Sequence, residues 1–378
     1  MTQGKLPVAT VSRGRGPVVP LVPHVDRPDV GPVAVTRSDG SASTVGTVLA
    51  ETSTDAFAVL QDGALVTEVY GPEGGADLAH GVLSVTKSVV GCVAAILLDR
   101  GILDEHQRVR ELVPELASSG YADATVRHLL DMRSGAAFLE GYDDPGSDIS
   151  RLDGWLLEGR GLYAFLKTLR AERPHGGSFL YRSSETDVLG WACERASGTG
   201  MPELVSELVW APLGAEHDAG MLTDASGTPV HDGGLEATAR DLLRFGQMLL
   251  DGGRVPDPGG TRSVVPSRWL RQAWAVDADV RTAFLESPAE PAFPGGWYRN
   301  QFWFRPGPYG DTLLCLGIHG QLVHVCRRTR TVSVKLSSWT NAQEPAYLQD
   351  TLRACDAVGG ALSGARPVRS QGAGPSFM

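Results

Sequence analysis

The chain has 378 residues, of which 42% are apolar and 21% charged, the composition of a globular protein with room for two domains or for one domain with an inserted lobe. Its formal net charge of −10 argues against nucleic acid or an anionic membrane surface as a partner. Acidity alone does not indicate a substrate.

The first residues lack the continuous apolar core of a signal peptide, because prolines interrupt each short hydrophobic run. The longest apolar stretch, 89–98, is about half as long as a bilayer-spanning helix. We therefore expect a cytoplasmic protein with no membrane partner. The five cysteines form no CxxC pair, which is typical of reduced thiols. No metal-ligand spacing, P-loop or dinucleotide fingerprint is present, so neither a metal nor a cofactor is predicted.

In chain order, residues 1–45 are rich in Pro, Gly, Val and Ser and are predicted to form an extended N-terminal arm, packed on the surface or mobile. Two β-prone runs around Asp62-Gly63 predict a hairpin. The stretch 89–98 predicts a buried helix. The segment "ATVRHLLDMRSG" predicts a short helix closed by Gly135, and residues from 140 to about 230 are mainly helical.

The segment "GGLEATARDLLRFGQMLLDGG" predicts a helix capped by Thr238, with Asp241 at the capping-box position and Gly252 and Gly253 at its end. Three antiparallel strands are predicted next, in "QFWFRPG", "TLLCLGIHGQLVHVC" and "TVSVKLSSW". A terminal helix is expected in "EPAYLQDTLRACDAVGGALSG".

Strands near both ends with helices between them predict an α/β (α+β) fold, in which one antiparallel sheet is flanked by helices and carries an inserted, mainly helical lobe. The expected boundaries are a sheet domain at 46–120 and 230–362, a helical domain at 121–229 and a disordered tail at 363–378. A cleft between the two lobes is the natural place for a site.

Ser84 and Lys87 open the apolar helix with the spacing S-x-x-K, which places both side chains on one helix face, one turn apart. Free N–H groups at the helix start stabilise developing negative charge. Desolvation and the helix dipole should both favour a neutral Lys87 amine, the form that a general base needs. The alternative is that Ser84 is an N-cap and Lys87 reaches out to solvent.

Two further segments favour a catalytic interpretation. Tyr181 and Ser183 begin another apolar helix, and a tyrosine beside a Ser–Lys pair can relay a proton to a leaving group. Glycines flank Ile318 and His319 in an otherwise alternating strand, which often marks close approach of a ligand to the backbone. A main-chain N–H there, with that of Ser84, would form a two-donor oxyanion hole.

These motifs, in the order "SVTK", "TVRHLLDMRSG", "YRS", "GGLEATARDLLRFGQMLLDGG" and "GIHGQ", resemble the serine β-lactamase and penicillin-binding-protein superfamily on its class C and esterase side. Within it, "LSVTKSVVG", "YDDP" and "VSVKLSSW" resemble the nylon-oligomer (6-aminohexanoate-dimer) hydrolases. The likeness runs from about 55 to 355, and it implies a class C β-lactamase-like fold.

The resemblance also implies roles for individual residues. Ser84 would be the acylated nucleophile, Lys87 its general base and Tyr181 the relay to the leaving amine. The N–H groups of Ser84 and Ile318 would form the oxyanion hole. Tyr142 matches a tyrosine that contacts the nitrogen side of the scissile amide, and its alternative is an exposed loop tyrosine.

Departures from the superfamily pattern bear on the substrate. The chain lacks the Lys-Thr-Gly triplet that binds a substrate carboxylate in β-lactamases, and its second motif is Tyr-x-Ser. The predicted activity is therefore hydrolysis of small linear amides or esters. Asp153 and Trp155 are candidates for an acid and an aromatic wall of the pocket, with Ser183 and His319 as further substrate contacts. No G-x-S-x-G elbow supports a Ser-His-Asp role for His319.

Two alternatives remain open at this point. An acyltransferase would use the same nucleophile with an amine or alcohol acceptor in place of water. A non-catalytic binding module would keep the fold without acylation of Ser84. The sequence does not indicate an oligomeric state.

Overall fold

The computed structural model describes residues 6–367. The strands in this range are β1 (Val8–Val11), β2 (Val22–Pro23), β3 (Ala34–Thr36), β4 (Ala42–Thr44), β5 (Thr54–Gln61), β6 (Ala64–Tyr70), β7 (His80–Gly81), β8 (Ala219–Leu222), β9 (Leu235–Ala237), β10 (Arg254–Asp257), β11 (Gly260–Ser263), β12 (Trp297–Arg299), β13 (Phe302–Gly307), β14 (Gly310–Gly317), β15 (Gln321–Cys326) and β16 (Thr331–Ser337).

The α-helices are α1 (Val45–Glu51), α2 (Val85–Asp99), α3 (Val109–Leu112), α4 (Val126–Leu130), α5 (Asp148–Leu157), α6 (Leu162–Leu166), α7 (Ser183–Ser197), α8 (Met201–Val205), α9 (Ala211–Leu213), α10 (Ala239–Leu250), α11 (Ser267–Trp274), α12 (Ala278–Leu285) and α13 (Pro345–Ser363). Short 3-10 segments lie at Pro114–Leu116, Glu290–Ala292 and Ile318–Gly320, and a π-helical turn lies at Ser206–Trp210. No helix among residues 6–367 combines the length and apolar character needed to cross a membrane.

The main sheet has eight strands in the order β12-β13-β14-β15-β16-β5-β6-β2. All neighbours in it are antiparallel except β2, which pairs with β6 in parallel. The pairing of β5 with β16, from Thr331↔Gln61 to Ser337↔Thr54, joins the beginning and the end of the chain in one sheet. The predicted arrangement, a sheet built from distant segments with helices inserted between them, is confirmed.

Side chains alternate along each strand, so the sheet has two faces to bury, and helices cover both. On one face, Gly246 of α10 packs against Val332 of β16, and α2 lies on the same side near Cys315. On the opposite face, Gly359 of α13 packs against Thr331, the neighbour of Val332 in the strand. The all-round apolar character of α2 thus reflects burial: each residue from Val85 to Leu97 is enclosed.

Residues 6–45 do not run free of the domain, and residues 1–5 lie outside the described residues. Strand β1 pairs with β8, which belongs to a smaller sheet ordered β1-β8-β9-β7. Strands β3 and β4 form a hairpin next to α1. Of the predicted tail 363–378, Ser363 is the last residue of α13, and residues 368–378 lie outside the described residues.

Two predictions about local structure are wrong. The segment "TLLCLGIHGQLVHVC" is not one strand: β14 and β15 are antiparallel partners, joined at Gly317↔Gln321 by a reversal. His319 and Gly320 turn the chain there with φ of 57° and 89°. The short helix predicted to close at Gly135 ends five residues earlier, at Leu130, because Asp131 already leaves helical geometry.

Candidate active site

A tight turn presents Ser84 at the start of α2. Leu83, the residue before it, has φ of 48°, a left-handed conformation that costs free energy for a residue with a side chain. The Val82 N–H donates to the Leu235 carbonyl at 2.9 Å, which ties this turn to β9. Ser84 occupies the N-cap position, but its hydroxyl makes no capping hydrogen bond and the residue is 9% exposed. The hydroxyl is therefore available to react.

Lys87 points inward. Its side chain is buried, and its Nζ donates hydrogen bonds to Ser84 Oγ at 2.7 Å, to Ser183 Oγ at 3.1 Å and to the Asp232 carbonyl at 2.8 Å. An Asp232 carboxylate oxygen lies 3.6 Å from the same nitrogen. All three donors of an ammonium group are thus used. The alternative in which Lys87 reaches solvent is excluded.

Several groups around Lys87 act against the neutral amine that we expected. Burial lowers the pKa of Lys87, but neighbouring groups, among them the Asp232, Glu140 and Asp187 carboxylates, outweigh burial, and the pKa is raised above its ordinary value. These carboxylates favour the ammonium form of Lys87. The expectation of a neutral amine considered only burial and the helix dipole, whereas these neighbours come from distant parts of the chain.

Tyr181 lies beside this pair, with its ring centroid 5.1 Å from Lys87 Nζ. Trp303 and Tyr298 hold the ring, with centroid separations of 5.1 Å and 6.1 Å. Burial raises the pKa of the Tyr181 phenol, although Lys87 and Ser84 act in the opposite direction. The phenol keeps its proton at neutral pH and has one to give.

The backbone at Gly317 approaches the nucleophile turn closely. A methyl group on Gly317 would come 2.6 Å from the Val82 carbonyl oxygen, two residues before Ser84. Ile318 follows in the 3-10 turn between β14 and β15. Among the residues that the structure describes, no group accepts a hydrogen bond from the Ser84 N–H. This arrangement brings the two main-chain segments of the expected oxyanion hole together.

His319 is fixed by the backbone around it. Its Nδ1 lies 2.8 Å from the Trp339 carbonyl, its N–H donates to the Ala342 carbonyl at 2.8 Å, and its own carbonyl accepts from Gln321 Nε2 at 3.1 Å. Because a carbonyl can only accept, Nδ1 carries the proton in the neutral ring and Nε2 is left as an acceptor. The ring makes no hydrogen bond to Ser84 or Lys87, so a Ser-His pair is absent from this site.

Tyr142 and Ser183 are both hydrogen-bonded to the Glu140 carboxylate. The Ser183 hydroxyl and N–H donate to the two oxygens of the Glu140 carboxylate at 2.5 Å and 2.9 Å. The Tyr142 hydroxyl donates to the same carboxylate at 2.5 Å. Burial raises the pKa of Glu140, and the Lys87 charge lowers it in part. Tyr142 is therefore not an exposed loop tyrosine, and Glu140 lies at the site although the sequence did not single it out within its acidic segment.

Asp153 lies on α5 and keeps contact with solvent. The surrounding protein and the charges of Asp232 and Glu140 raise the pKa of Asp153 to about 7. Three carboxyl groups therefore influence one another at this end of the cleft.

Trp155, expected to line the pocket with Asp153, lies on a different side of α5. Residues two apart on a helix face different directions. Trp155 packs edge-on against Phe165, and the Arg160 guanidinium covers its ring at 3.6 Å. The side chain is part of the packing between α5 and α6.

Behind Lys87 lie two further buried titratable residues, Asp187 and His231, which the sequence analysis did not predict as part of the site. Asp187 is fully buried, and one of its oxygens accepts from the Asp232 N–H at 3.1 Å. Burial and the Asp232 charge raise the pKa of Asp187. His231, also fully buried, lies 3.9 Å from Asp187 and 3.5 Å from Glu194. Two Asp residues spaced 45 positions apart gave no signal in the sequence.

Comparison with known proteins fits this geometry. Residues 44–357 match the family model described as Beta-lactamase. The chain belongs to the β-lactamase family. As a member of that family with a Ser–Lys–Tyr constellation, it is a serine hydrolase of the amide- or ester-cleaving type.

Relatives within the β-lactamase family include hydrolases of both kinds. The 6-aminohexanoate-dimer hydrolase of Paenarthrobacter ureafaciens is 38% identical over 370 residues, which cover 93% of this chain and 89% of the relative. Esterase EstB of Burkholderia gladioli is 32% identical over 207 residues, about half of each chain. A solved Bacillus anthracis protein, provisionally assigned as a 6-aminohexanoate-dimer hydrolase, superposes with a TM-score of 0.83 at 24% identity and covers 95% of this chain and 92% of that one.

Proposed function

We propose that the protein hydrolyses small linear amides or esters through an acyl-enzyme on Ser84, in the manner of a 6-aminohexanoate-dimer hydrolase. The observation that carries the proposal is the 2.7 Å hydrogen bond between Lys87 Nζ and Ser84 Oγ inside a site that also holds Tyr181. A nucleophile, a base one turn away and a proton donor are the groups that acyl transfer requires.

In acylation, Lys87 in its neutral form takes the Ser84 proton as Oγ bonds to the carbonyl carbon. The N–H groups of Ser84 and Ile318 stabilise the resulting oxyanion. When the intermediate collapses, the C–N bond breaks and the leaving amine takes a proton from Tyr181. Tyr181 regains a proton from Lys87, so the proton lost by Ser84 ends on the amine. In deacylation, water attacks the acyl carbon, Lys87 accepts its proton, and Ser84 Oγ leaves and is reprotonated.

The substrate class follows from charge. Asp232 and Glu140 lie near Lys87 and their charges act on Asp153, so a substrate ammonium group would relieve the mutual repulsion of these three carboxyl groups. No positively charged side chain other than Lys87 forms an ion pair with Asp232 in the described residues. This supports an amino-terminated linear acyl group, as in an ω-amino-acid amide, with Asp153 and Tyr142 as substrate contacts.

Intact-mass spectrometry tests the proposal. The protein is mixed with p-nitrophenyl 6-aminohexanoate and with the p-nitroanilide of the same acid, and sampled during turnover. We expect a mass increase equal to the acyl group, located on Ser84 and absent in Ser84→Ala. If nitrophenol is released without an adduct on Ser84 under quenching in acid, the proposed mechanism is wrong.

A second arm of the experiment separates hydrolysis from acyl transfer. Propylamine is added as an acceptor, and the products are quantified by chromatography. Hydrolysis predicts free acid as the main product at millimolar amine. A dominant N-propyl amide would instead identify an acyltransferase. Absence of both acylation and turnover with the full panel would favour a binding module.

A further inference from the structure

Asp232 is a carboxylate beside Lys87 that a substrate can reach. Its side chain is 12% exposed, and Ser84 beside it is 9% exposed. Its carboxylate accepts no hydrogen bond from another described residue and pairs with Lys87 alone, at 3.6 Å. This carboxylate can therefore change partners without breaking a hydrogen bond.

The other titratable groups that face Lys87 lack this freedom. Glu140, in the loop before α5, is held by Ser183 and the Tyr142 hydroxyl. Asp187, on α7, is fully buried behind the Asp232 main chain, with His231 on its far side. The Tyr181 phenol precedes α7 and keeps its proton.

We infer that Asp232 holds Lys87 in its charged, inactive form until a substrate ammonium group takes over the Asp232 carboxylate. The inference rests on the proposed acyl-enzyme function. Because the Asp232 negative charge favours the ammonium form, its neutralisation by a second cation lets Lys87 release one proton to solvent. The total charge of the site is unchanged, since the substrate cation replaces the Lys87 cation. The neutral amine can then accept the Ser84 proton.

With this exchange, the positive charge of the substrate raises the rate of acylation in addition to contributing to binding. An acyl chain that ends in a primary ammonium group would be acylated quickly. A neutral chain of the same length would bind against the same walls and react slowly, because Lys87 keeps its proton. Asp232 would thereby be a specificity-determining residue that acts on the rate constant of acylation.

The test compares two esters of equal length, p-nitrophenyl 6-aminohexanoate and p-nitrophenyl heptanoate, by stopped-flow acylation between pH 5 and 9. The wild-type protein should acylate the cationic ester at least about tenfold faster at saturation, the effect of one pKa unit at Lys87. In Asp232→Asn the heptanoate should react about tenfold faster than with wild type, and the cationic preference should fall toward unity. Removing a negative neighbour lowers the pKa of Lys87, so the acidic limb for the neutral ester should move to lower pH.

Two variants serve as controls. Asp232→Glu restores the charge and should restore the preference. Asp143→Asn removes an exposed carboxylate that makes no hydrogen bond with a described residue, and should keep the wild-type ratio and profile. Asp232→Ala repeats the measurement with a smaller side chain in case the amide introduces a new hydrogen bond.

The possible results distinguish failure of the inference about Asp232 from failure of the proposed function. If wild type is acylated on Ser84 but Asp232→Asn slows both esters equally, or leaves the acidic limb in place, the inference is overturned while the proposed function stands. If wild type shows no Ser84 acylation with either ester, the proposed function itself fails.

Discussion

Gly317 and Val82 touch through their backbones: the position of a Gly317 Cβ would be 2.6 Å from the Val82 carbonyl oxygen. Gly317 has φ of −130°, so its conformation does not require glycine. Glycine is needed at position 317 only because a side chain there would clash with the Val82 carbonyl oxygen. The contact joins the residue before Ile318 to the turn that presents Ser84.

Gly317→Ala should therefore impair catalysis without introducing strain in the backbone dihedral angles of residue 317. The added methyl group pushes the Ile318 segment away from Ser84, and a misplacement of about 1 Å costs on the order of 100-fold in rate. The measurement is kcat for the p-nitrophenyl ester together with the thermal melt. Gly259→Ala, where nothing lies within 4 Å, is the matched control. A Gly317→Ala enzyme with wild-type kcat would remove Ile318 from the oxyanion hole.

Ser84→Ala should abolish turnover and leave stability nearly unchanged, since the Ser84 hydroxyl does not cap α2. Ser88→Ala, one turn further along the same helix, should show the reverse pattern. The Ser88 hydroxyl donates to the Gln301 carbonyl at 2.8 Å in a buried setting, so its loss should lower the free energy of unfolding by about 1–3 kcal/mol. Urea denaturation and fluorophosphonate labelling report the two effects separately. Strong labelling of Ser84→Ala would place the nucleophile elsewhere.

Tyr181→Phe should slow amides far more than activated esters, because the amine needs a proton to leave and nitrophenolate does not. Tyr121→Phe is the control. Its hydroxyl is hydrogen-bonded to Ser184 at 2.7 Å, close to the start of α7 but outside the site, so its loss should affect stability and not the amide-to-ester ratio. Comparable losses on both substrates in Tyr181→Phe would argue against a proton relay through this phenol.

Two glycines in helices should respond oppositely to alanine. Replacing glycine by alanine at an open helix position raises the free energy of unfolding by about 1 kcal/mol. We expect this gain for Gly154→Ala, since nothing lies within 4 Å of the added methyl group. Gly190→Ala would place Cβ 2.1 Å from the buried His231 ring, and the overpacking should destabilise by about 1–3 kcal/mol. Urea midpoints of both variants test the pair. A stabilised Gly190→Ala would show that the His231 ring can move.

Lys335 should make stability depend on pH. Burial lowers the pKa of Lys335 to about 7. Between about pH 7 and the ordinary lysine pKa, the unfolded chain binds more protons than the folded chain, so the free energy of unfolding rises with pH in this window. The slope is at most about 1.4 kcal/mol per pH unit.

Lys335→Met should remove this contribution, so the difference in unfolding free energy between wild type and variant should grow in favour of wild type from pH 7 to pH 9. Urea denaturation at pH 7, 8 and 9 measures it. Lys167→Met, at an exposed lysine, should show a constant difference. A constant difference for Lys335→Met as well would mean that Lys335 stays charged in the folded protein.

Local patterns in the sequence predicted a good part of the structure. The hairpin at Asp62-Gly63, the Thr238 cap of α10 and the helix that begins after Ser84 depend on residues close together in the chain, and the structure contains all three. The S-x-x-K spacing likewise placed Ser84 and Lys87 one turn apart, because helix geometry alone fixes that relation.

The tertiary structure decided what surrounds these groups. Asp232, Asp187 and Glu140 come from three separate segments, and their charges raise the pKa of Lys87, whereas its local sequence suggests a lowered one. The reversal at His319, which converts one predicted strand into two, likewise depends on packing against Trp339. Backbone periodicity is a short-range property that a sequence displays directly, whereas electrostatic environment is a sum over neighbours that only the folded chain brings together.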